Sequence, residues 1–306
     1  MIYVVGSGPA GVACAGALVE AGAEVTLLDV GRRLERERAD QLARLRQAEP
    51  EAWDAGAVRA LTASPLSPGH GARALKLAYG SSFPYAGEDT DLGAQRGTYC
   101  VQSFARGGLS TVWGAAVLPA AADDLGDWPV SRADLVPHYE AVGRLLGVAA
   151  GADDLAAHFP LYAAPRPAPP LSRQAQRLAA HLARHRATLA ARGYVFGRSR
   201  LALRVEDDAQ GPGCRRVGLC LTGCPYGAIW SAGDALTTLI ASGRLHYRDG
   251  WKVEAVTEQR SDGEATIVAR PATGGDAQRF RAERVFLAAG VLSTLGIVLT
   301  SLGRYD

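Results

Sequence analysis

The chain lacks the features that would assign it to a membrane, a nucleic acid or a secreted disulfide framework. No apolar run in its 306 residues approaches the length of a membrane span. A net charge of +2 is too small to make nucleic acid or an anionic membrane the main partner. Cysteines number only five, an odd count, and three of them cluster. That pattern argues against a disulfide scaffold and for a reducing compartment with metal or redox chemistry. No leader precedes the first strand, because Met1 abuts it, so a cytoplasmic protein is expected. No internal repeat is evident. What is present is apolar substance: 48% of the residues are hydrophobic, enough to bury a core in one large or two modest domains.

The strongest pattern lies in the first thirty residues. An apolar run, Ile2-Tyr3-Val4-Val5, meets Gly6-Ser7-Gly8-Pro9-Ala10-Gly11, and a helical stretch follows from Pro9 to about Ala21. A second strand, Glu24 to Leu28, then ends in Asp29. Strand, glycine turn, helix, strand and acid stand in the order a dinucleotide site needs. Gly6 permits the tight turn, Gly8 lets a pyrophosphate approach the backbone, and Gly11 lets the helix lie close to the sheet. The helix N-terminus offers N–H groups to phosphates. Asp29, 18 residues past Gly11, is placed to accept hydrogen bonds from a ribose. The fingerprint alone does not separate FAD from NAD.

Further along, Gly31 to about Ala60 is charged and helical in propensity, mostly a solvated face, with a phosphate contact from Arg32 or Arg33 as the alternative. Thr62–Gly71 and Ser81–Gly97 read as loops, broken by Pro65, Pro68, Pro84 and Gly87. Gly107 and Gly108 with Ser110 and Thr111 form a glycine turn that lets backbone N–H groups approach a planar or anionic ligand. Ser131 with Asp134 predicts a capped helix that Gly147 stops, its apolar face being Leu135, Tyr139, Val142 and Leu146. Ser172 caps an amphipathic helix over about Arg173–Arg192, with Ala175, Leu178, Ala179, Leu182 and Leu189 facing inward. His181 and His185 share one face of that helix, but no third ligand accompanies them. Cys214, Cys220 and Cys224-Pro225 resemble an iron–sulfur ligand run short of one cysteine. They would hold a three-iron cluster or form a structural loop of buried thiols. From Leu245 strands predominate, at Leu245–Tyr247, Trp251–Thr257, Ala265–Arg270 and Gln278–Ala282, in a β-meander. Val285 to Gly290 is a buried strand, and a helical run follows it.

Together these stretches resemble the glucose–methanol–choline flavoprotein oxidoreductases. Gly6-x-Gly8-x-x-Gly11 matches that family's FAD fingerprint. Ala105-Arg106-Gly107-Gly108-Leu109-Ser110-Thr111-Val112-Trp113-Gly114 is similar to its second glycine motif. Trp128-Pro129 with Leu135 and Tyr139, Cys220-x-x-Gly223-Cys224-Pro225-x-Gly227-Ala228 with Ser231, and Ala288-Ala289-Gly290-x-x-x-Thr294 follow in family order. The resemblance implies an α/β fold: a Rossmann-like FAD/NAD(P)-binding domain with a β-meander crossover and a partial substrate or cap region. It divides the chain into residues 1–119 and 214–306 for FAD, with 120–213 as the cap. It implies that Gly6, Ser7, Gly8, Pro9, Ala10 and Gly11 hold the pyrophosphate and Asp29 the ribose. Gly107, Gly108 and Ser110 approach the flavin, Val253 meets the adenine through its backbone, and Ala289 and Gly290 line the FAD. Val112 stands where some members carry a flavin-linked histidine, so the FAD is expected to be non-covalent. The cysteine spacing is similar to that of bacterial glucose dehydrogenase subunits, which implies a [3Fe–4S] cluster on Cys214, Cys220 and Cys224.

The implied reaction is oxidation of the CH–OH group of a sugar or other alcohol, with hydride passing to the flavin. The family's catalytic histidine lies beyond the Ala288–Gly290 strand, and none of His70, His138, His158, His181, His185 and His246 sits in a matching motif. A truncated or split enzyme is therefore expected, with a C-terminal half or an electron-acceptor subunit as partner. The alternative is a non-catalytic flavin-binding or electron-transfer module.

Overall fold

The computed structural model describes residues 1–63, 77–85, 101–121, 123–258 and 263–304. The loop readings over Thr62–Gly71 and Ser81–Gly97 fall largely outside these residues, as does His70. The chain forms two compact units: Met1–Trp113, Gly218–Pro225 and Ser231–Asp306 make the first, and Gly114–Val217 with Tyr226–Trp230 the second.

The first unit is built on a four-stranded parallel sheet. Its strands are β1 (Ile2–Val5), β2 (Val25–Leu28), β5 (Leu245–Arg248) and β9 (Arg284–Leu287), in the order β5-β2-β1-β9. Helix α1 (Pro9–Glu20) connects β1 to β2 and packs on both. All four residues of β2 are buried, which suits a parallel strand covered on both faces. Leu27 and Leu28 are fully buried, each worth about 2 kcal/mol relative to exposure. Tyr3, Val5 and Leu28 share a core with Val253, Ile267 and Ala269 of a second sheet. That sheet is antiparallel, β6 (Trp251–Glu258), β7 (Ala265–Pro271) and β8 (Gln278–Ala282) in sequence order.

Here one expectation is corrected. Leu245–Tyr247 is not a meander strand but joins the parallel sheet, pairing Val25 with Leu245 and Leu27 with Tyr247. The turn at Asp249-Gly250 separates the two sheets: Gly250 N–H donates to Val30 O, and Trp251 N–H donates to Asp29 O. The charged stretch after Gly31 forms two helices, α2 (Arg36–Gln47) and α3 (Ala55–Thr62), broken at Pro50. Helix α7 (Ala232–Ala241), capped by Ser231, packs against α1 and β5. Helix α8 (Val291–Ser301) lies on β6, where Val256 N–H donates to Ser301 Oγ at 2.8 Å. Its outer side leaves Val291, Leu295, Val298 and Leu302 exposed. Strand β9 pairs only with β1, so its other edge has no strand beside it among the described residues.

The second unit has a thinner core. Helix α4 (Arg132–Leu146) carries the expected capping box between Ser131 and Asp134 and stops at Gly147, whose φ is +59°. Its apolar face is only half-buried, and Val142 is exposed. Strands β3 (Ala149–Ala150) and β4 (Arg166–Pro167) pair, and Leu201 bridges to both Ala149 and Ala116. A buried guanidinium, Arg200, pairs with Asp153 at 3.0 Å. The helix expected over Arg173–Arg192 is two, α5 (Arg173–Arg184) and α6 (Arg186–Ala190), broken at His185. Neither fully buries a residue: Ala175, Ala179, Leu182 and Leu189 of the expected inward face are half-buried, and Leu178 is 59% exposed. No helix among the described residues is long and apolar enough to cross a membrane.

Candidate functional site

Three backbone segments of the first unit meet at the end of β1. Gly6 leaves the strand with φ +98°, and a Cβ there would lie 2.6 Å from the Ala288 carbonyl oxygen. The return strand β9 therefore sits directly on the first glycine turn, with Ala288 N–H donating to Val5 O. A Cβ at Gly11 would lie 1.9 Å from the Gly6 carbonyl oxygen, so only glycine lets α1 start this close to the turn. At Gly8 the situation reverses: nothing lies within 4 Å of a built Cβ. Helix α1 begins at Pro9 with no side-chain cap and no acid in its first turn, and Pro9 and Ala10 are exposed. Its N-terminal N–H groups and dipole thus face open space beside Gly8.

The second glycine stretch is docked onto this turn by its own hydrogen bonds. Arg32 N–H donates to Phe104 O and Arg106 N–H to Arg32 O, tying residues 104–106 to the chain just after β2. Gly107 has φ +91°, and a Cβ there would meet the Gly233 nitrogen at 2.6 Å. Gly108 brings its Cβ position to 3.2 Å from Gly8 Cα. Ser110, in the 3₁₀ turn Gly108–Thr111, donates to Gly107 O at 2.6 Å and accepts from Ala232 N–H at 2.9 Å. The turn is thereby fixed to the start of α7.

One hydroxyl links all of this to the acid. Ser7 Oγ accepts from Gly107 N–H at 2.9 Å and donates to Asp29 Oδ2. Tyr247, on β5, donates its phenol to the same oxygen at 3.1 Å. Burial pushes the Asp29 carboxyl up to about 6, and the bonds from Ser7 and Tyr247 hold it from rising further. Burial, reinforced by the neighbouring Asp29 charge, raises the Tyr247 phenol well above its ordinary value. Arg106 stacks its guanidinium 5.3 Å from the Tyr247 ring centroid and donates from Nη2 to Thr237 Oγ1. Its buried Nε has no hydrogen-bond partner among the described residues.

The structure therefore brings together Gly6, Ser7, Gly8, Pro9, Ala10, Gly11, Asp29, Gly107, Gly108 and Ser110, with Ala289 against Gly6. Gly290 caps α8 with φ +85° and open space at its Cβ position. Val253 is a core residue at a register shift between itself and Ala255. The roles of Tyr247 and Arg106 were missed. Their only signal was the alternating Leu245-His246-Tyr247 run, whose pairing with β2 is not written in it. Arg33 is paired with Asp249 at 3.1 Å, and Arg32 donates to Tyr85 O, so both arginines serve the chain itself. The residues present suit a dinucleotide: open backbone at Gly8, an uncapped helix start, and a carboxylate at the end of β2.

The iron site is not formed. Among the described residues no three His, Cys, Asp or Glu side chains are placed to share a metal ion. Cys214 belongs to the second unit and Cys220 and Cys224 to the first. The loop around Cys224 is instead held as a turn. Tyr79, itself at φ +54°, packs its ring where a Cβ on Gly223 would lie 2.5 Å away, and donates its hydroxyl to Cys224 O at 3.0 Å. Cys214 and Cys224 are free, half-buried thiols, as is Cys14, which burial raises above the usual thiol range. The five described histidines are all exposed, and the rings of His181 and His185 lie 4.8 Å apart with no third ligand. A separate cavity of about 590 Å³ lies along α2 and α3, lined in part by Arg44, Leu45, Trp53 and Asp54, and shares no residue with the glycine turns.

No family model matches the sequence. A 6'''-hydroxyparomomycin C oxidase of Streptomyces lividus is 29% identical over 184 residues, which cover 58% of this chain and 32% of that one. Among solved structures, the pyridoxine 4-oxidase from Mesorbium loti matches 94% of this chain and 49% of its own, with a TM-score of 0.51 at 16% identity. A fungal aryl-alcohol oxidase matches 98% of this chain and 47% of its own, with a TM-score of 0.50 at 13% identity. The chain thus spans about half the length of these solved structures and about a third of the curated relative. Over that span its mixed α/β fold is the fold of the glucose–methanol–choline oxidoreductases, the family its motifs resemble.

Proposed function

We propose that this chain binds FAD non-covalently on a Rossmann-like sheet, as the cofactor-holding part of an oxidoreductase acting on the CH–OH group of a sugar or other alcohol. The observation that carries the reading is the meeting of Gly6–Gly11, Asp29 and Gly107–Ser110 at the end of β1, joined through the Ser7 hydroxyl. Residues 1–119 and 214–306 would hold the cofactor and residues 120–213 would face substrate. The N–H groups at the start of α1 would bind the pyrophosphate, and Gly8 would let it approach. Asp29 would accept the adenosine ribose hydroxyls, Ala289 and Gly290 would line the bound FAD, and the backbone of Val253 would meet the adenine. Gly107, Gly108 and Ser110 would set the backbone against which the flavin side lies. Bound FAD supplies the hydride acceptor.

No described histidine contacts the glycine turns or Asp29, and the base is assigned to the part of a truncated or split enzyme that this sequence does not include. The open edge of β9 and the exposed apolar residues on α8 support such a partner, because an unpaired edge beside uncovered Val291 and Leu295 suits added sheet. An electron-acceptor subunit is the other candidate. If no such polypeptide restores turnover, a flavin-binding or electron-transfer module remains. The test is reconstitution with FAD. Bands near about 370 and about 450 nm that stay with the protein on gel filtration are expected of a flavoprotein. Retention of NAD but not FAD would replace the reading with a nicotinamide site.

A further inference from the structure

Asp29 is served by more of the chain than a ribose-binding acid requires. Ser7 and Tyr247 both donate side-chain hydrogen bonds to Oδ2, and the backbone N–H groups of Ser7 and Val30 also bond the carboxylate. The Tyr247 ring would pack as well if it were phenylalanine. Its hydroxyl is used on Asp29 and nowhere else described. The chain also makes room for that hydroxyl. Gly31 has φ +71°, and a Cβ there would lie 2.4 Å from the Tyr247 oxygen. Register explains the reach: β5 runs parallel to β2 with Tyr247 beside Leu27, two residues before Asp29. Arg106, in the second glycine stretch, lies over the face of the same ring. A cation there strengthens a phenol as a donor.

Resting on the FAD reading above, we propose that Tyr247, supported by Arg106, is the positioning residue of the ribose site. It fixes Oδ2 of Asp29 and stabilises the ionised carboxylate, so that its remaining lone pairs accept a ribose hydroxyl. A carboxylate accepts from a ribose hydroxyl only when ionised, and each hydrogen bond to the ionised form favours it. Burial works in the other direction, since it holds the carboxyl near about 6. The charged groups around it are few. Asp249 follows β5 and is neutralised by Arg33, Arg106 comes from the second glycine stretch, and the Arg248 guanidinium lies over Phe280. None of them contacts the Asp29 carboxylate.

The experiment is FAD binding to the full chain, followed by flavin fluorescence from about pH 5 to about pH 9. Wild type should bind well above about pH 6 and lose affinity below it. Tyr247→Phe should bind about tenfold more weakly at neutral pH and move the midpoint up by about one unit. Arg106→Gln should act in the same direction but less, and add nothing in the Tyr247→Phe background. Asp29→Asn should abolish the pH dependence. Without FAD, urea unfolding of Tyr247→Phe against pH reads the same displacement of the carboxyl, and Asp29→Asn serves if Tyr247→Phe does not fold. Wild type that binds FAD with a profile unchanged by Tyr247→Phe, or by Asp29→Asn, overturns the inference alone. Wild type that binds no FAD at any pH overturns the FAD reading, and this inference with it.

Discussion

Gly6–Gly11 and Gly218–Pro225 both read as cofactor motifs in the sequence, and they fold to different outcomes. In the first, two glycines answer to a backbone atom, the Ala288 carbonyl for Gly6 and the Gly6 carbonyl for Gly11, while Gly8 faces free space. In the second, Gly223 accommodates the ring of Tyr79, and the loop becomes a turn whose thiols are not gathered with a third ligand. The difference lies in where each motif keeps its meaning. A glycine demanded by backbone geometry carries that demand in its identity. A ligand set exists only when the topology brings side chains together, and spacing cannot state the topology.

The comparison breaks most directly at Gly11. Gly11→Ala puts a methyl group into the Gly6 carbonyl, and it should cost about 3–5 kcal/mol or abolish a cooperative urea transition. Normal stability of that variant would mean the turn is not built as described. A smaller effect tests Asp29. Its carboxyl is raised in the folded state from 3.8 to about 6. Between these values the folded chain binds the proton and the unfolded chain does not, so stability is highest below about pH 4. That is the contribution of this one carboxyl, and it should fall, on the order of 2–3 kcal/mol, as pH rises through about 6. Urea midpoints measured across that range decide it, and Asp29→Asn should flatten the curve.

Gly223→Ala should cost about 2 kcal/mol, because a positive φ and the Tyr79 ring both oppose a methyl group. Gly8→Ala should cost about 1 kcal/mol or less in stability, since no atom opposes it, while FAD binding weakens by about tenfold or more. Equal losses at Gly8 and Gly11 would erase the distinction between an open glycine and a packed one. The smallest effect is expected from Cys220→Ser and Cys224→Ser. Each should leave stability within about 1 kcal/mol and leave a preparation without iron or labile sulfide. About three irons per chain in the wild type, lost in either variant, would restore the cluster.

Much of the first unit was legible because its signals are local. β1, α1, β2 and their glycines stand in thirty residues, and in the second unit the cap at Ser131 and the stop at Gly147 are likewise written in single residues. What was not legible depends on pairing at long range. Leu245–Arg248 has a strand's alternation, yet nothing in it says that it lies beside β2 and not in the meander. Tyr247 reaches Asp29 only because of that pairing. Leu178, read as inward, is exposed for a related reason, since amphipathic spacing describes a helix and not the element that covers it. Ser7 was named for the cofactor, and its hydroxyl also joins Gly107 to Asp29, a link that spacing does not state.

Strand β1 has one further consequence, for the time during which the chain is made. Its partners are β2, complete by residue 28, and β9, which pairs Ile2 with Arg284. At typical rates of synthesis, roughly 5–20 residues per second, the interval between them is on the order of 13–50 seconds. Throughout it, the finished edge at β9 does not exist, and the bare edge belongs to β1. Among the described residues the finished sheet has its edges at β5 and β9, whereas the nascent β1-β2 pair has its edges near the N-terminus, and chaperone demand should follow the latter.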